Sequence, residues 1–223
     1  MFKKYYIVPK ALSYELANFG LNYFLMKREA VSWMLKNRQP YWFPKATWLL
    51  GNFIDKQMPN TYSVYGDFFM DTLLMKMLPI VQKYTKLALV PCYTWARVYK
   101  KGDELVRHKD RISCEVSCTL NLGGDPWPIF IEPSGKSGVA KTINLHTIKT
   151  KKKPPKGKSI SLSVGDMMIY AGSYMEHWRE PFKGNMCAQV SLHYVDADGR
   201  FAKSCRFDKR PMLGIPLGCK LYQ

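Results

Sequence analysis

The residues best suited to hold a metal ion are His108 and Asp110, in the run Val106-Arg107-His108-Lys109-Asp110. At a strand end, residues i and i+2 project to the same side, so an imidazole and a carboxylate can reach one ion. Alone the pair is a weak signal, because a His-x-Asp arises by chance in roughly a fifth of chains with four histidines and average composition. A third ligand is required. His177 follows just beyond the β-prone segment Met167 to Tyr170, where a second sheet edge could bring it across. Two imidazoles and one carboxylate on one face of an octahedron leave three positions open, which suits iron(II) that must take a bidentate acid and dioxygen together. The same three ligands could hold zinc with an open position for hydrolysis. Residue types alone also leave open that the two histidines are unrelated.

These side chains need a scaffold to position them. At 223 residues the chain suffices for one domain with its own core, and 47% hydrophobic with 14% aromatic residues excludes a disordered polar chain. Residues 1–90 read as a mainly helical support, 91–200 as the β-rich core that carries the ligands, and 201–223 as a basic tail without assignable structure. From Ala11 to about Arg38 apolar residues recur at helical spacing (Leu12, Leu16, Phe19, Phe24), predicting one or two amphipathic helices. Pro40 and Pro44 break that pattern, and Tyr41-Trp42-Phe43 reads as a loop tucked against the core. A further helix is expected from about Asp67 to Lys86 despite Pro79.

Beyond Lys86 the texture changes to short β-prone segments: Tyr93 to Tyr99, Ser113 to Leu122, Ile129 to Glu132, Ser159 to Ser163, Met167 to Tyr170 and Cys187 to Val195. Short strands after two helices predict an α+β, mainly β fold, an antiparallel sandwich or barrel with the helices packed on one sheet.

No run approaches the roughly 18 apolar residues of a membrane span, and the first residues lack the pattern of a signal peptide. The expectation is a cytoplasmic protein with no membrane partner. The six cysteines are scattered without a Cys-x-x-Cys pair and read as free thiols, with Cys114 and Cys118 able to share one strand face. A net charge of +17 favours an anionic ligand or partner. Six lysines between Lys149 and Lys158 are interrupted by Pro154, Pro155 and Gly157, so the run reads as an exposed loop, either merely solvated or a contact for nucleic acid or an acidic partner.

With these motifs in place, the chain resembles the 2-oxoglutarate/iron(II) oxygenases and, within them, the prolyl-4-hydroxylase-like group. The likeness runs from about Tyr93 to Arg200. It comprises Arg97-Val98-Tyr99, the turn Lys101-Gly102 and the His108/Asp110 motif. Gly165-Asp166-Met167-Met168-Ile169-Tyr170 then leads to Glu176-His177-Trp178-Arg179, and Gln189 to Asp196 closes the pattern. The resemblance implies a double-stranded β-helix (jelly-roll, cupin-like) core with the metal at its open end. It also implies iron(II), 2-oxoglutarate and O2, with ascorbate as an auxiliary reductant, and hydroxylation of a C–H bond with release of succinate and CO2. The related halogenases lack the carboxylate ligand, so Asp110 argues against halogenation.

One departure matters. The prolyl-hydroxylase-like group places an Arg or Lys on the strand after the distal histidine, to pair with the far carboxylate of 2-oxoglutarate. This chain has Met186, Cys187 and Ala188 there, and none of them can make the charge-assisted hydrogen bonds a buried carboxylate needs. Replacement donors are Arg97, Arg111, Arg179 and Lys183, and Gln189, Ser191 and His193, which share a strand face with Cys187. An arginine is the first expectation, since its fork matches a carboxylate. The resemblance places Tyr99 in the lining of the cosubstrate pocket. His146 reads as structural, and Trp178 either lines the substrate mouth or packs. The function expected first is hydroxylation of a protein or peptide side chain, prolyl above others; the second is oxidation of nucleic acid; a non-catalytic β-helix binding module or a zinc hydrolase is a third.

Overall fold

Strands buried on both faces grow longest, and two such strands organise this protein. The computed structural model describes residues 2–37, 49–135, 139–143, 147–150 and 155–215. Its elements run β1 (Tyr5–Val8), α1 (Tyr14–Lys36), β2 (Tyr62–Tyr65), α2 (Phe68–Thr85), β3 (Leu89–Lys100), β4 (Leu105–His108), β5 (Val116–Gly124), β6 (Ile129–Glu132), β7 (Val139–Ile143), β8 (Thr147–Thr150), β9 (Lys158–Ile160), β10 (Met167–Tyr170), β11 (Glu176–Arg179), β12 (Met186–Asp196) and α3 (Ala202–Cys205). A major sheet has the order β1-β10-β5-β12-β3-β2 and a minor sheet the order β4-β11-β6-β9, while β7 and β8 form a hairpin of their own. Neighbouring strands are antiparallel throughout. The chain passes from minor to major sheet between β4 and β5, between β9 and β10 and again between β11 and β12. The result is the two-sheet jelly roll expected from the sequence.

The long strands β3 and β12 pair over eleven positions. One face, with Ala96, Val98, Val190 and Leu192, lies in the core cluster that also holds Phe24 of α1 and Leu74 and Met77 of α2. The helices therefore cover the outer face of the major sheet. Both start on side-chain caps: Ser13 Oγ accepts the Leu16 N–H at 3.3 Å, and Asp67 Oδ1 accepts those of Phe69 and Met70 at 2.9 and 3.2 Å, each cap contributing about 1 kcal/mol. α2 runs through Pro79. The donor that proline lacks would have served Met75, a residue on the exposed side, where water can satisfy the carbonyl. No helix among the described residues is long and apolar enough to cross a membrane.

The opposite face of the major sheet looks into the barrel and is far more polar. It carries Tyr93, Arg97 and Tyr99 of β3, Ser117 and Thr119 of β5, and Gln189 and His193 of β12, all buried. Buried polar groups on one face are what a binding cavity needs and an inert core avoids.

Several elements depart from the sequence expectations. Residues 1–90 contribute β1 and β2 as edge strands of the major sheet in addition to the helices. β4 and β11, the strands that hold the two histidines, have four residues each. Cys114 sits in a 3-10 turn beside Tyr93, while Cys118 lies on β5 among the helix-facing core residues. The two thiols therefore do not share a strand face. Lys149 belongs to β8, and Lys156 and Lys158 are exposed before and at the start of β9. Tyr41-Trp42-Phe43, His146, Lys151 to Pro154 and Cys219 lie outside the described residues.

The first part of the basic tail folds back onto the barrel. Arg111 Nη1 and Nη2 donate to both carboxylate oxygens of Asp208 at 2.9 and 2.7 Å, and Tyr65 donates to the same group. Arg210, buried, donates to Asp71 at 2.9 Å and to the Cys92 carbonyl at 3.3 Å. Phe207, Asp208 and Lys209 are all left-handed, with φ of 50°, 53° and 65°. Such residues carry backbone strain of about 1 kcal/mol each, which the Asp208 and Arg210 contacts offset.

Candidate metal centre

His108 ends β4 and His177 stands directly opposite it on β11. Cross-strand partners project to the same face, and the two ring centroids are 4.3 Å apart. Asp110 follows in a turn whose backbone is tied down by its N–H, donated to the Gly172 carbonyl at 3.0 Å. Its Oδ1 lies 3.3 Å from His108 Nε2 and 3.4 Å from His177 Nε2.

The other ring nitrogens make this cluster fit a metal. His108 Nδ1 donates to the Val106 carbonyl at 2.7 Å and His177 Nδ1 to the Met175 carbonyl at 3.2 Å. Those bonds fix the tautomer and leave both Nε2 lone pairs facing the carboxylate oxygen. Three acceptors aimed at one another need a cation or proton between them. Adjacent corners of an octahedron with bonds of about 2.1 Å are about 3 Å apart, close to the separations found. Burial alone would raise the Asp110 carboxyl; with a proton in place of the ion, positive charge and hydrogen bonds from His177 and His108 outweigh burial and hold the group well below its ordinary range.

A second layer of contacts orients the carboxylate. Ser117 Oγ donates to Asp110 Oδ2 at 2.9 Å. With its proton committed there, its oxygen accepts from His193 Nδ1 at 3.0 Å. His193 in turn stacks on Tyr93 at 4.4 Å. Gly172 completes the arrangement: a Cβ at that position would lie 2.4 Å from Asp110 Oδ2 and 2.2 Å from Ser117 Oγ, so any side chain there displaces the carboxylate.

His193 also makes a prediction for stability. Burial pulls its imidazole from an ordinary 6.5 down to about 4; Asp110 opposes that shift and Arg111 and His177 assist it. The metal-free native state therefore keeps His193 neutral while the unfolded chain protonates. Stability from this residue is complete above about pH 6.5 and is lost as pH falls toward 4, at up to about 1.4 kcal/mol per pH unit. Urea unfolding across that window should show a shallower pH dependence for His193→Asn than for the parent protein, and equal slopes would contradict the assignment.

The candidate anchors separate clearly. Arg97 is engaged: Nε and Nη2 donate to Asp55 at 2.9 and 2.6 Å, and Nη2 to Gln57 at 2.7 Å. Burial alone would lower this guanidinium, but Tyr99 and Asp55 outweigh it and raise it. Arg111 is held by Asp208. Lys183 is exposed. Arg179 differs from all of these, being 3% exposed with no carboxylate paired to it among the described residues. It lies two positions beyond His177 on the same face of β11 and donates to the Trp127 carbonyl and to Gln189 Oε1. Thr119 Oγ1 donates to the same Gln189 oxygen at 2.9 Å, which fixes the amide. Burial pulls the Arg179 guanidinium below the usual arginine value, with Tyr99, Cys187 and Tyr170 acting the other way. Cys187 is thus a neighbour of Arg179. Cys187 stands on the strand where the resembled family keeps its cation, so the charge reaches that neighbourhood from a strand of the other sheet.

Tyr99 is buried against Trp127, with ring centroids 4.8 Å apart, near both arginines. Trp178 points out of the barrel and packs between the Phe130 ring at 5.5 Å and the Arg107 guanidinium at 4.1 Å. Its role is therefore packing. Ser191 is half-buried on β12. Ser117 and Gly172 were not among the sequence candidates.

No protein-family model and no curated protein matches the sequence. By structure the chain is similar to a prolyl-4-hydroxylase from Pseudomonas putida, with a TM-score of 0.53 and 12% identity over 87% of this chain and 93% of that one. It is also similar to the epimerase SnoN of nogalamycin biosynthesis, solved with Fe3+ and alpha ketoglutarate (TM-score 0.58, 12% identity, 87% of this chain and 80% of that one). HygX from Streptomyces hygroscopicus, solved with nickel and 2-oxoglutarate, is a third (TM-score 0.54, 11% identity, 88% and 84%). The two-sheet architecture, with a His-Asp-His cluster between its sheets, is accordingly the double-stranded β-helix fold seen in 2-oxoglutarate/iron(II) oxygenases.

Proposed function

We propose that this protein is a 2-oxoglutarate- and iron(II)-dependent oxygenase that hydroxylates a C–H bond. The observation that carries the reading is Arg179, a buried guanidinium with no carboxylate partner among the described residues, one strand repeat along from a three-ligand metal cluster. Positions i and i+2 on a strand are about 7 Å apart, a span that a five-carbon keto diacid bridges. In this reading His108, Asp110 and His177 hold iron(II), and three coordination positions stay open for the keto acid and O2. When bound, iron(II) supplies the activation of O2, and the balanced reaction is 2-oxoglutarate, O2 and R–H giving succinate, CO2 and R–OH. Ascorbate would serve only to keep the ion reduced.

The protein's own share is positioning and charge. Arg179 receives the far carboxylate through its fork, in a setting where low dielectric makes each charge-assisted bond strong. Gln189, held by Thr119, keeps that fork in place, and Tyr99 and Trp127 wall the cavity against water. Ser117 and His193 keep Asp110 turned so that one oxygen faces the ion. A zinc hydrolase would have no use for the Arg179 cation, which costs desolvation in the folded protein without an anion to receive.

Anaerobic addition of iron(II) and then 2-oxoglutarate should produce the weak visible charge-transfer absorption of a chelated keto acid, and succinate should form on admitting air. Iron binding without that absorption would overturn the reading. A protein or peptide side chain remains the substrate class that likeness to a prolyl-4-hydroxylase suggests. The related folds include an epimerase, so the scaffold by itself does not select a substrate.

A further inference from the structure

The rim beside the metal cluster carries cations and aromatic rings in alternation. Lys109 lies between the two ligands of the His-x-Asp motif, and its Nζ stands 5.5 Å from the centroid of the Tyr174 ring. Lys3 Nζ approaches the same ring at 5.0 Å. Tyr174 belongs to the turn whose Gly172 carbonyl fixes Asp110. Two residues beyond Lys3, the ring of Tyr5 has Lys158 Nζ 5.9 Å from its centroid. Two ammonium groups on one ring repel each other, and among the described residues no carboxylate pairs with Lys3, Lys109 or Lys158. The paired lysines are elsewhere, at Lys27 with Asp67 and Lys100 with Asp103. The rim is therefore an uncompensated positive surface in a protein of net charge +17, at the turn that carries a metal ligand.

We propose that this rim binds single-stranded nucleic acid, with phosphates on Lys3, Lys109 and Lys158 and bases stacked at Tyr174 and Tyr5. Phosphodiesters supply the missing negative charge. Tyr5 and Tyr174 are half-buried against the cluster of Ile129, Ile131 and Tyr170, and the part of each ring left exposed suits a base, every one of which has a face to stack, whereas an acidic peptide would leave the rings unused. A single strand is required because a base inside a duplex has no free face to offer a tyrosine ring without leaving the stack. Oxidation of the bound strand rests on the oxygenase reading; its binding does not.

The test uses metal-free protein and fluorescein-labelled single-stranded DNA and RNA of mixed sequence, about 15 nucleotides long, read by anisotropy over a range of salt. Binding should appear at low salt and weaken with a log–log slope of about −2 or steeper, since three phosphate contacts contribute about 0.7 each. The Lys3→Ala/Lys109→Ala/Lys158→Ala variant should flatten that slope by about 2, and Tyr174→Leu should weaken binding about tenfold. Because Lys109 adjoins two ligands, Lys3→Ala/Lys158→Ala is measured beside it and should flatten the slope by about 1.4. Absence of binding at low salt, slopes unchanged in these variants, or stronger binding of a polyglutamate peptide than of either oligonucleotide would overturn the proposal. Retained binding in a protein that shows no keto-acid absorption would sink the reaction and leave this surface standing.

Discussion

Arg179→Met is expected to cripple 2-oxoglutarate binding at only a modest cost in stability to the metal-free protein. Truncating one partner of a buried, hydrogen-bonded charge pair costs about 2–5 kcal/mol, so affinity for the keto acid should fall by about 30-fold or more. Stability should fall only modestly. Among the described residues no carboxylate pairs with the buried Arg179, and burial already pulls its guanidinium down, so removing the charge relieves a desolvation cost. Against that, methionine leaves the Trp127 carbonyl without its Arg179 donor and Gln189 Oε1 with Thr119 alone, a loss of about 1–3 kcal/mol. Thermal unfolding with and without 2-oxoglutarate checks both halves. The ligand should raise the parent's midpoint and leave the variant's unmoved. A variant that still responds to 2-oxoglutarate would remove Arg179 from the role. A variant that unfolds at much lower temperature would mean the guanidinium is structural. Arg97→Met gives the contrast: it strands the Asp55 carboxylate and should cost stability first.

The second large effect belongs to Asp110. Asp110→Ala removes the one anion from a cluster whose other members are neutral imidazoles held by backbone carbonyls. Loss of a contact that merely orients a ligand typically costs 10- to 100-fold in metal affinity, a range of about 1.4–2.7 kcal/mol. Ser117→Ala should fall in that range, and Asp110→Ala should exceed it. Titration with cobalt(II), followed by its visible bands, ranks the two directly. Equal losses would mean that Asp110 does not ligate the ion, and no loss in Ser117→Ala would mean that the hydrogen bond at 2.9 Å does not hold the carboxylate.

What could be read from the sequence follows the range of the interactions involved. His108 and Asp110 were legible because i and i+2 spacing is a local property, and α2 because its cap and apolar stripe are contained in one segment. β4 and β11 were not, since four residues are too few to display a period. Arg179 looked no different from Arg97 or Lys183 as a cation in the chain. Its distinction arises from Trp127, 52 positions away, and Gln189, 10 positions away, which bury it from the connection before β6 and from β12. Arg97 lost its availability to Asp55, 42 positions upstream. Ser117 and Gly172 have no signature of their own, because their roles exist only where β5 and the turn after β10 meet Asp110. The tail from residue 201 read as unassignable since its left-handed turn is held by partners in α2, β2, β3 and the turn after Asp110.

The direct pairing of His108 with His177 has a consequence for which lengths of chain can vary. Side chains on a strand alternate between faces, so a one-residue deletion inside β4 or β11 turns every later side chain of that strand to the other side. A deletion before His177 within β11 would send both its imidazole and Arg179 out of the barrel together, removing metal and keto-acid contacts in one step. The turn at Gly102, bonded to Phe182, carries no such coupling of faces. Insertions there should cost some stability, while insertions within either four-residue strand should be lethal to activity. Tolerance to insertion, mapped position by position, would trace the outline of the metal centre without any metal being added.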